Sequence, residues 1–193
     1  MSQAEARVLD STSDTLNGLV PQALVDAVTG IAADPVNGQL TFRATTAWQG
    51  SLRSRTDVVS YDAAGQTIPR RHQIMADEPL EVLGENSAPN PQDLLLAALA
   101  SCMMVGFVVK ATAAGIRLDS VEIDTECALD LRGVLSLDPS VPPGAEKIKY
   151  TIRVKGDGTP AQFAEIHQQV TETSPNYYHL KSPMPFEAEL VVE

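Results

Sequence analysis

The stretch NPQDLLLAALASCMM, residues 90–104, decides the fold of this chain, because it begins like a capped helix and continues as an apolar one. Asn90 can cap a helix, Pro91 suits the first helical position, and Asp93 lies near the positive end of the helix dipole. We therefore predict a central helix from Pro91 to about Ala114, ended by Gly115.

The middle of this helix, from Leu94 to Val109, carries no charged residue. A membrane span needs about 20 apolar residues, and Asp93 and Lys110 close this segment at both ends, so it is too short to cross a bilayer. A helix that is apolar on every face is instead buried inside a protein. We expect Leu94–Val109 to be covered on all sides.

The overall charge excludes two classes of partner. The chain has 14 Lys and Arg against 25 Asp and Glu, a formal charge of -11, which repels nucleic-acid phosphates and anionic lipid headgroups. We expect no nucleic-acid partner and no membrane partner. The first ten residues, MSQAEARVLD, lack the basic and apolar regions of a secretory signal, so we expect a cytoplasmic location.

Three strands are predicted before the central helix, at Gln39–Ala47, Ser51–Tyr61 and Thr67–Ala76. Turns at residues 48–50 and 64–65 would join them into an antiparallel meander, and a loop would then lead to the helix. A further helix is predicted within residues 14–33, where the apolar residues have helical spacing. We divide the chain into an extension, residues 1–38, and a main domain, residues 39–193.

The strands predicted after the central helix have oppositely charged outer faces. Asp119–Leu131 alternates apolar residues with acidic ones, and Lys147–Lys155 alternates apolar residues with basic ones, which predicts antiparallel neighbours. A helix at Pro160–Thr173 and a last strand at Pro185–Val192 follow. The fold class is therefore α+β, with a mostly antiparallel sheet packed on a long buried central helix.

Cys102 lies on the central helix, where a cysteine can be a small core residue or a reactive thiol. A reactive thiol needs a nearby cation. Arg53 and Arg55 are the candidates, since they lie two apart on a predicted strand and share a face; alternatively they belong to a solvated face with Asp57. The other cysteine, Cys127, is predicted to pack in the core.

The three histidines, His72, His167 and His179, are predicted on a strand, a helix and a loop, and their spacing does not match a metal site. We expect no metal and no other cofactor. His179 follows Tyr177 and Tyr178, so these three residues could form the rim of a pocket. Met103, Met104 and Phe107 flank Cys102, and we consider them either as core residues or as an apolar wall that contacts substrate. The predicted substrate contacts are Met103, Phe107, Tyr177 and Tyr178.

NPxxLLLAALASC resembles the helix that carries the reactive cysteine in the OsmC/Ohr family of hydroperoxide reductases. ATTAWQGSLRSR resembles the early hairpin of that family, DEPLEVLGENSAPNP its approach loop, and SPxxxxLKSPMPFEAELVVE its end. The similarity runs from about Gln39 to Glu193. It implies an OsmC-like fold, an intertwined homodimer, and a Cys102 thiolate that attacks a peroxide while Arg53 or Arg55 activates it.

Two positions depart from the pattern of the family. Gln92 stands where the peroxidase members place a glutamate that orients the arginine, and a glutamine can hydrogen-bond an arginine but cannot neutralise it. Ser174 stands where the resolving cysteine is expected, and a serine cannot form a disulfide. Catalysis would then use one cysteine and an external thiol reductant.

The sequence thus supports two hypotheses. The first is thiol-dependent reduction of organic or hydrogen peroxides through Cys102. The alternative is an OsmC-like protein that binds a small molecule or a thiol adduct and has lost peroxidase turnover, which the substitutions at Gln92 and Ser174 favour. A purely structural role for the thiol is a third hypothesis.

Overall fold

The computed structural model describes residues 15–192. It contains five α-helices and six strands in that range. In chain order these are α1 (Pro21–Ala33), β1 (Leu40–Phe42), β2 (Thr45–Trp48), β3 (Ser54–Ala63), β4 (Gln66–Ala76), α2 (Pro91–Ala113), β5 (Leu118–Cys127), α3 (Leu131–Val134), β6 (Ile148–Gly156), α4 (Pro160–Thr173) and α5 (Pro175–Lys181). The α+β class with antiparallel sheets agrees with the prediction.

The central helix α2 begins as its sequence predicts. The Asn90 side chain accepts a hydrogen bond from the Asp93 backbone N–H at 2.8 Å, and the Asp93 carboxylate accepts one from the Asn90 N–H at 3.0 Å. This reciprocal capping box satisfies two backbone donors that the first helical turn leaves free. At the other end Gly115 adopts a positive φ of 71°, which allows the chain to leave the helix.

One face of α2 forms the hydrophobic core. Leu99, Met103, Phe107 and Ala111 are four residues apart, so they lie in one stripe, which packs with Ile166 and Val170 of α4 and with the inner face of β5 and β6. The opposite face is open, and Val105 there is 64% exposed. A single chain therefore covers one face of α2, and burial of Leu94–Val109 on all sides in a homodimer stays a prediction.

Strands β5 and β6 form the predicted antiparallel pair, in which Ile123 lies opposite Ile152. The outward side chains bond across the pair: Lys149 Nζ lies 2.8 Å from Glu126 Oε1, and Arg153 pairs with Asp124. The predicted strand Asp119–Leu131 ends early at Cys127 and gives way to α3, where the Asp130 side chain accepts a hydrogen bond from the Arg132 N–H.

The first four strands form the predicted meander, with β3 in its centre. The predicted strand Gln39–Ala47 is divided into β1 and β2, which both pair antiparallel with β3, while β4 pairs with the other edge of β3. Residues 64 and 65 have φ values of 48° and 74°, so they form a tight turn between β3 and β4. The predicted strand from Ser51 begins instead at Ser54, because residues 49–53 form the preceding turn.

The C-terminal part departs from the prediction. Residues 183–192, which include the predicted strand Pro185–Val192, form no strand in this chain. Alternation favours an extended backbone, but a strand also needs a neighbouring backbone for its hydrogen bonds. Residues 175–181, where a loop with His179 was expected, form α5 instead, because Ser174 and Pro175 begin a new short helix after ending α4.

The N-terminal segment is attached to the end of α2. The Asn17 side chain donates to Thr112 Oγ1 at 3.0 Å and to the Ile116 carbonyl at 2.9 Å, and it accepts from the Leu118 N–H at 2.8 Å. Helix α1 begins at Pro21, within the predicted range 14–33. The division of the chain at residue 38 stays a prediction.

Candidate functional site

The site is organised around the contact between Cys102 and Ser174. Cys102 lies in the middle of α2 and is half-buried, while Ser174 joins α4 to α5 and is 4% exposed. Ser174 Oγ donates a hydrogen bond to Cys102 Sγ across 3.2 Å. Residues 72 positions apart in the chain are thus in direct contact. They are the positions at which the resemblance implies the reactive and the resolving cysteine.

Helix α5 is held against α2 by a second contact beside the first. Asn176 Nδ2 donates to the backbone carbonyl of Ala98 at 2.7 Å, one helical turn before Cys102. Ser174 also acts as the N-terminal cap of α5, since its Oγ accepts a hydrogen bond from the Tyr177 N–H at 3.4 Å. These contacts fix the Ser174 hydroxyl beside the sulfur.

An aromatic cluster lies beneath α5. Tyr177 meets Tyr150 edge to face, with ring centroids 6.3 Å apart, and the Tyr150 hydroxyl lies 2.8 Å from His167 Nε2. Burial raises the pKa of the Tyr150 phenol, and the neighbouring Tyr177 adds to the effect. Tyr178, by contrast, is exposed. Of the predicted rim residues, Tyr177 alone belongs to this cluster, and His167, predicted only as a helix residue, joins it.

The two candidate arginines have different partners. Arg53 Nη1 lies 3.0 Å from Glu85 Oε2, and Arg55 Nε lies 3.2 Å from Asp57 Oδ2. The second pair matches the solvated strand face that the sequence left open. Among residues 15–192, Arg53 Nε is buried without a hydrogen-bond partner. Neither arginine has a recorded hydrogen bond to Cys102 in the described part of the chain.

Glu85, which the sequence analysis did not single out, is placed by an ordered loop between β4 and α2. The Asp77 carboxylate, only 1% exposed, accepts hydrogen bonds from the N–H groups of Glu78, Glu85 and Ser87 and from the Ser87 hydroxyl. The hydrogen bonds from Ser87, followed by those from the other two N–H groups, hold the pKa of Asp77 below its usual range.

The close approach of this loop to itself requires a glycine at position 84. A Cβ atom added to Gly84 would lie 1.8 Å from the backbone oxygen of Glu78. The signal in the sequence was an aspartate at the start of a loop containing glycine, serine and proline, because an Asp side chain readily binds backbone N–H groups.

Gln92 lies in the first turn of α2, where it lines a cavity of about 480 Å³. Leu95, Leu99 and Ile148 form part of the apolar wall of the cavity, Tyr177 belongs to its lining, and Lys147 and Lys181 supply positive charge. The glutamine is therefore close to an open space, and no hydrogen bond between it and either arginine is recorded in the range 15–192.

The predicted wall residues beside Cys102 belong to the core. Met103 is fully buried and Phe107 is 1% exposed, since both lie on the stripe of α2 that faces α4 and the sheet. This position offers a ligand almost no surface, which favours the first of the two alternatives that the sequence left open, a role in the core. Cys127, predicted as core, is only half-buried and lines the cavity instead.

Within residues 15–192, the structure contains no group of three or more His, Cys, Asp or Glu side chains that could hold a metal ion. In the same range α2 is long and apolar enough to cross a membrane by length and composition, a test that the core helix of a soluble protein also passes.

Solved structures share the fold of this chain. An OsmC-like protein from Mycoplasma pneumoniae matches with a TM-score of 0.56 and 15% identity, over 73% of this chain and 87% of that one. A protein from Psychrobacter arcticus 273-4, described as an osmotic stress induced and detoxification response protein, matches with a TM-score of 0.54 and 21% identity, over 74% and 88%. An OsmC-like protein of unknown function from Vibrio cholerae has a TM-score of 0.51 and 15% identity, over 70% and 90%.

The sequence matches no curated protein. It does match the family model described as OsmC-like protein, over residues 84–189. This range includes the Asn90 cap, all of α2 with Cys102, the β5–β6 pair, and the contact of Cys102 with Ser174. The match covers more than half of the chain, and on this basis the chain belongs to the OsmC-like protein family.

Proposed function

We propose that this protein reduces organic or hydrogen peroxides through Cys102 and uses an external thiol as the reductant. The observation that carries the proposal is the position of the Cys102 sulfur, half-buried on the central helix with a hydroxyl donor 3.2 Å away. Cys127 is half-buried as well, but within residues 15–192 no hydroxyl donor to its sulfur is recorded. We place the reaction in the cytoplasm, where thiol reductants are abundant.

The reaction begins when the Cys102 thiolate attacks one peroxide oxygen. The sulfur–oxygen bond forms, the oxygen–oxygen bond breaks, and the leaving oxygen takes a proton to give an alcohol or water. Cys102 is then a sulfenic acid. An external thiol forms a mixed disulfide with it and releases water, and a second thiol frees Cys102 and leaves as the disulfide of the reductant.

Arg53 is the better candidate for the activating arginine. Its Nε is buried and has no partner among the described residues, whereas the Arg55 Nε is bound to Asp57. Glu85 then orients Arg53 from the loop, in the role that the family gives to the position of Gln92. A guanidinium with a free donor can bind the peroxide or the thiolate.

A homodimer would complete the site. The open face of α2 exposes Val105, and the C-terminal segment leaves Phe186 90% exposed and Leu190 equally open. Exposed apolar surface of this kind favours burial against another chain. The alternating C-terminal segment could add a strand to a partner sheet. Size-exclusion chromatography with light scattering tests this; a monomer at micromolar concentration would contradict it.

Turnover tests the main proposal. Purified protein is mixed with an alkyl hydroperoxide or hydrogen peroxide and dithiothreitol, and peroxide loss is followed. Cys102→Ser should abolish the rate, while Cys127→Ser, the matched control, should retain it. Dimedone should label Cys102 after peroxide treatment without a disulfide by intact mass. A protein whose Cys102 stays reduced, or one that forms a Cys102 to Cys127 disulfide, contradicts the proposed one-cysteine cycle.

The arginine assignment has its own matched pair. Glu85→Gln should lower the rate of peroxide consumption, because it frees Arg53 to move. Asp57→Asn releases Arg55 and should leave that rate near that of the parent. Both carboxylates are at least partly exposed, so neither change should greatly alter stability. Equal effects of the two changes would remove the reason to prefer Arg53.

The cavity favours a second candidate function, binding of a small molecule without turnover. Its volume of about 480 Å³ lies in the range of ligand pockets, and apolar walls with a few polar groups are typical of such sites. In that case ligand binding would survive Cys102→Ser, and peroxide would not be consumed. The turnover assay separates this function from the first.

A further inference from the structure

We propose that Ser174 is a catalytic residue whose hydroxyl stabilises the reacting sulfur anion of Cys102, so that the resolving position of the family has become a donor position. The proposal rests on the proposed role of Cys102 as the reacting thiol. It assigns a function to the serine that the disulfide cycle of the family leaves without one.

The hydrogen bonds of Ser174 leave its hydroxyl proton available to the Cys102 sulfur. The Oγ accepts from the Tyr177 N–H at the start of α5, so one lone pair is occupied, and the hydroxyl hydrogen is free to point at Cys102 Sγ across 3.2 Å. A thiolate has no hydrogen and can only accept, so the bond remains possible, and strengthens, when Cys102 ionises.

The surroundings increase the effect of this single donor. Ser174 is 4% exposed, so water has little access to its hydroxyl group, while the Cys102 sulfur is half-buried. Away from water a hydrogen bond to a charged atom is about twice as strong as one between neutral groups. The stability of the Cys102 thiolate should therefore depend strongly on the Ser174 hydroxyl.

The remaining ionisable groups on the elements packed against α2 have other recorded partners or face outward. Tyr150 on β6 bonds to His167 on α4, and Lys181 on α5 lies over the Tyr177 ring. The acidic residues of β5 alternate onto its outer face. The other charged or titratable side chains of α4 and α5 face solvent: Glu165, Glu172, Tyr178 and His179 are exposed. Among residues 15–192, Ser174 Oγ is the recorded hydrogen-bond partner of Cys102 Sγ.

The test measures how fast Cys102 reacts with iodoacetamide as a function of pH. The background is full-length protein with Cys127→Ser, so that a single thiol reacts. Ser174→Ala removes the donor, and Ser174→Thr keeps a hydroxyl at the same place. Asn176→Ala is the matched control, because it breaks the neighbouring tie between α5 and α2 without touching the sulfur.

With Ser174→Ala, alkylation at neutral pH should slow by about tenfold, and the midpoint of the pH profile should rise by about one unit, since hydrogen bonds to charged groups have this magnitude. Ser174→Thr should restore most of the rate. Asn176→Ala should leave the midpoint in place. If the alanine variant does not fold, Ser174→Gly carries the test, because glycine is accepted at a helix N-cap at a cost of only a few tenths of a kcal/mol.

Two results would overturn the inference: a midpoint unchanged by loss of the hydroxyl, or the same upward shift with Asn176→Ala. The second would show that α5 docking, not the donor, matters. Peroxide consumption is measured separately on the same variants. A shifted alkylation profile in a protein that consumes no peroxide would support the donor role of Ser174 and contradict the proposed function, so the two failures are distinguishable.

Discussion

The substitution Ser174→Cys gives the sharpest prediction, because it restores the second cysteine at the position where the family has one. The Ser174 Oγ and the Cys102 Sγ are already 3.2 Å apart, and a disulfide needs its sulfur atoms about 2.05 Å apart. A movement of about 1 Å in the two side chains is therefore enough. We expect mild peroxide to join the two residues into a disulfide.

The size of the effect follows from the length of the loop that the bond closes. The two residues are 72 positions apart, and a loop of this length restricts the unfolded chain by about 4 kcal/mol. Cysteine is a poorer helix cap than serine, which costs about 1 kcal/mol at the start of α5. The free energy of unfolding of the oxidised variant should thus exceed that of the parent by about 3 kcal/mol, which corresponds to roughly 10 °C in Tm for a chain of this size.

The assay compares the thermal midpoint of Ser174→Cys with and without dithiothreitol, and intact mass reports the loss of two hydrogens. The variant should also resist over-oxidation of Cys102, because the disulfide forms before a second peroxide reacts. Parent protein treated in the same way should show no change of midpoint with reductant. Two free thiols in the oxidised variant would refute the placement of α5 beside α2.

The loop before α2 and the aromatic cluster give three further predictions. The pKa of Asp77 is lowered in the folded state, so its contribution to stability is present above about pH 4 and is lost as the pH falls through the lowered value. Between pH 5 and pH 3, Tm should therefore fall less in Asp77→Asn than in the parent. Equal slopes of Tm against pH would contradict this. Gly84→Ala should destabilise the protein by about 1–3 kcal/mol in urea, whereas Gly144→Ala, whose added atom meets nothing within 4 Å, should be neutral. Tyr150→Phe should cost about 1 kcal/mol of unfolding free energy through the lost bond to His167, and no loss would show that water already satisfies the histidine.

Much of the fold could be predicted because it depends on neighbours in the sequence. The cap at Asn90 and the start of α2 at Pro91 follow from a few adjacent residues. The pairing of β5 with β6 follows from alternation and from complementary charge on the two outer faces. Each of these signals depends on residues close together in the sequence, so it can be recognised without knowledge of the tertiary structure.

The C-terminal segment shows that an alternating pattern does not by itself predict a paired strand. Residues 185–192 alternate as regularly as β5, and yet they form no strand in this chain. Alternation describes which face a side chain would occupy, but the hydrogen bonds of a strand come from a second backbone. The burial of α2 is similar: its apolar residues cover every face, but within residues 15–192 the core packs against one stripe of the helix.

The sequence by itself determined the central helix, the antiparallel pairing of strands before and after it, and the identity of Cys102 as the residue to examine, because period and capping are local properties. The division of the one predicted sheet into two came from the structure. Only the tertiary structure decided what stands beside that sulfur. It brought Ser174 to Cys102, paired Arg53 with Glu85, and placed Met103 and Phe107 in the core. These contacts join residues far apart in the chain, and their distances depend on how the helices and loops pack together.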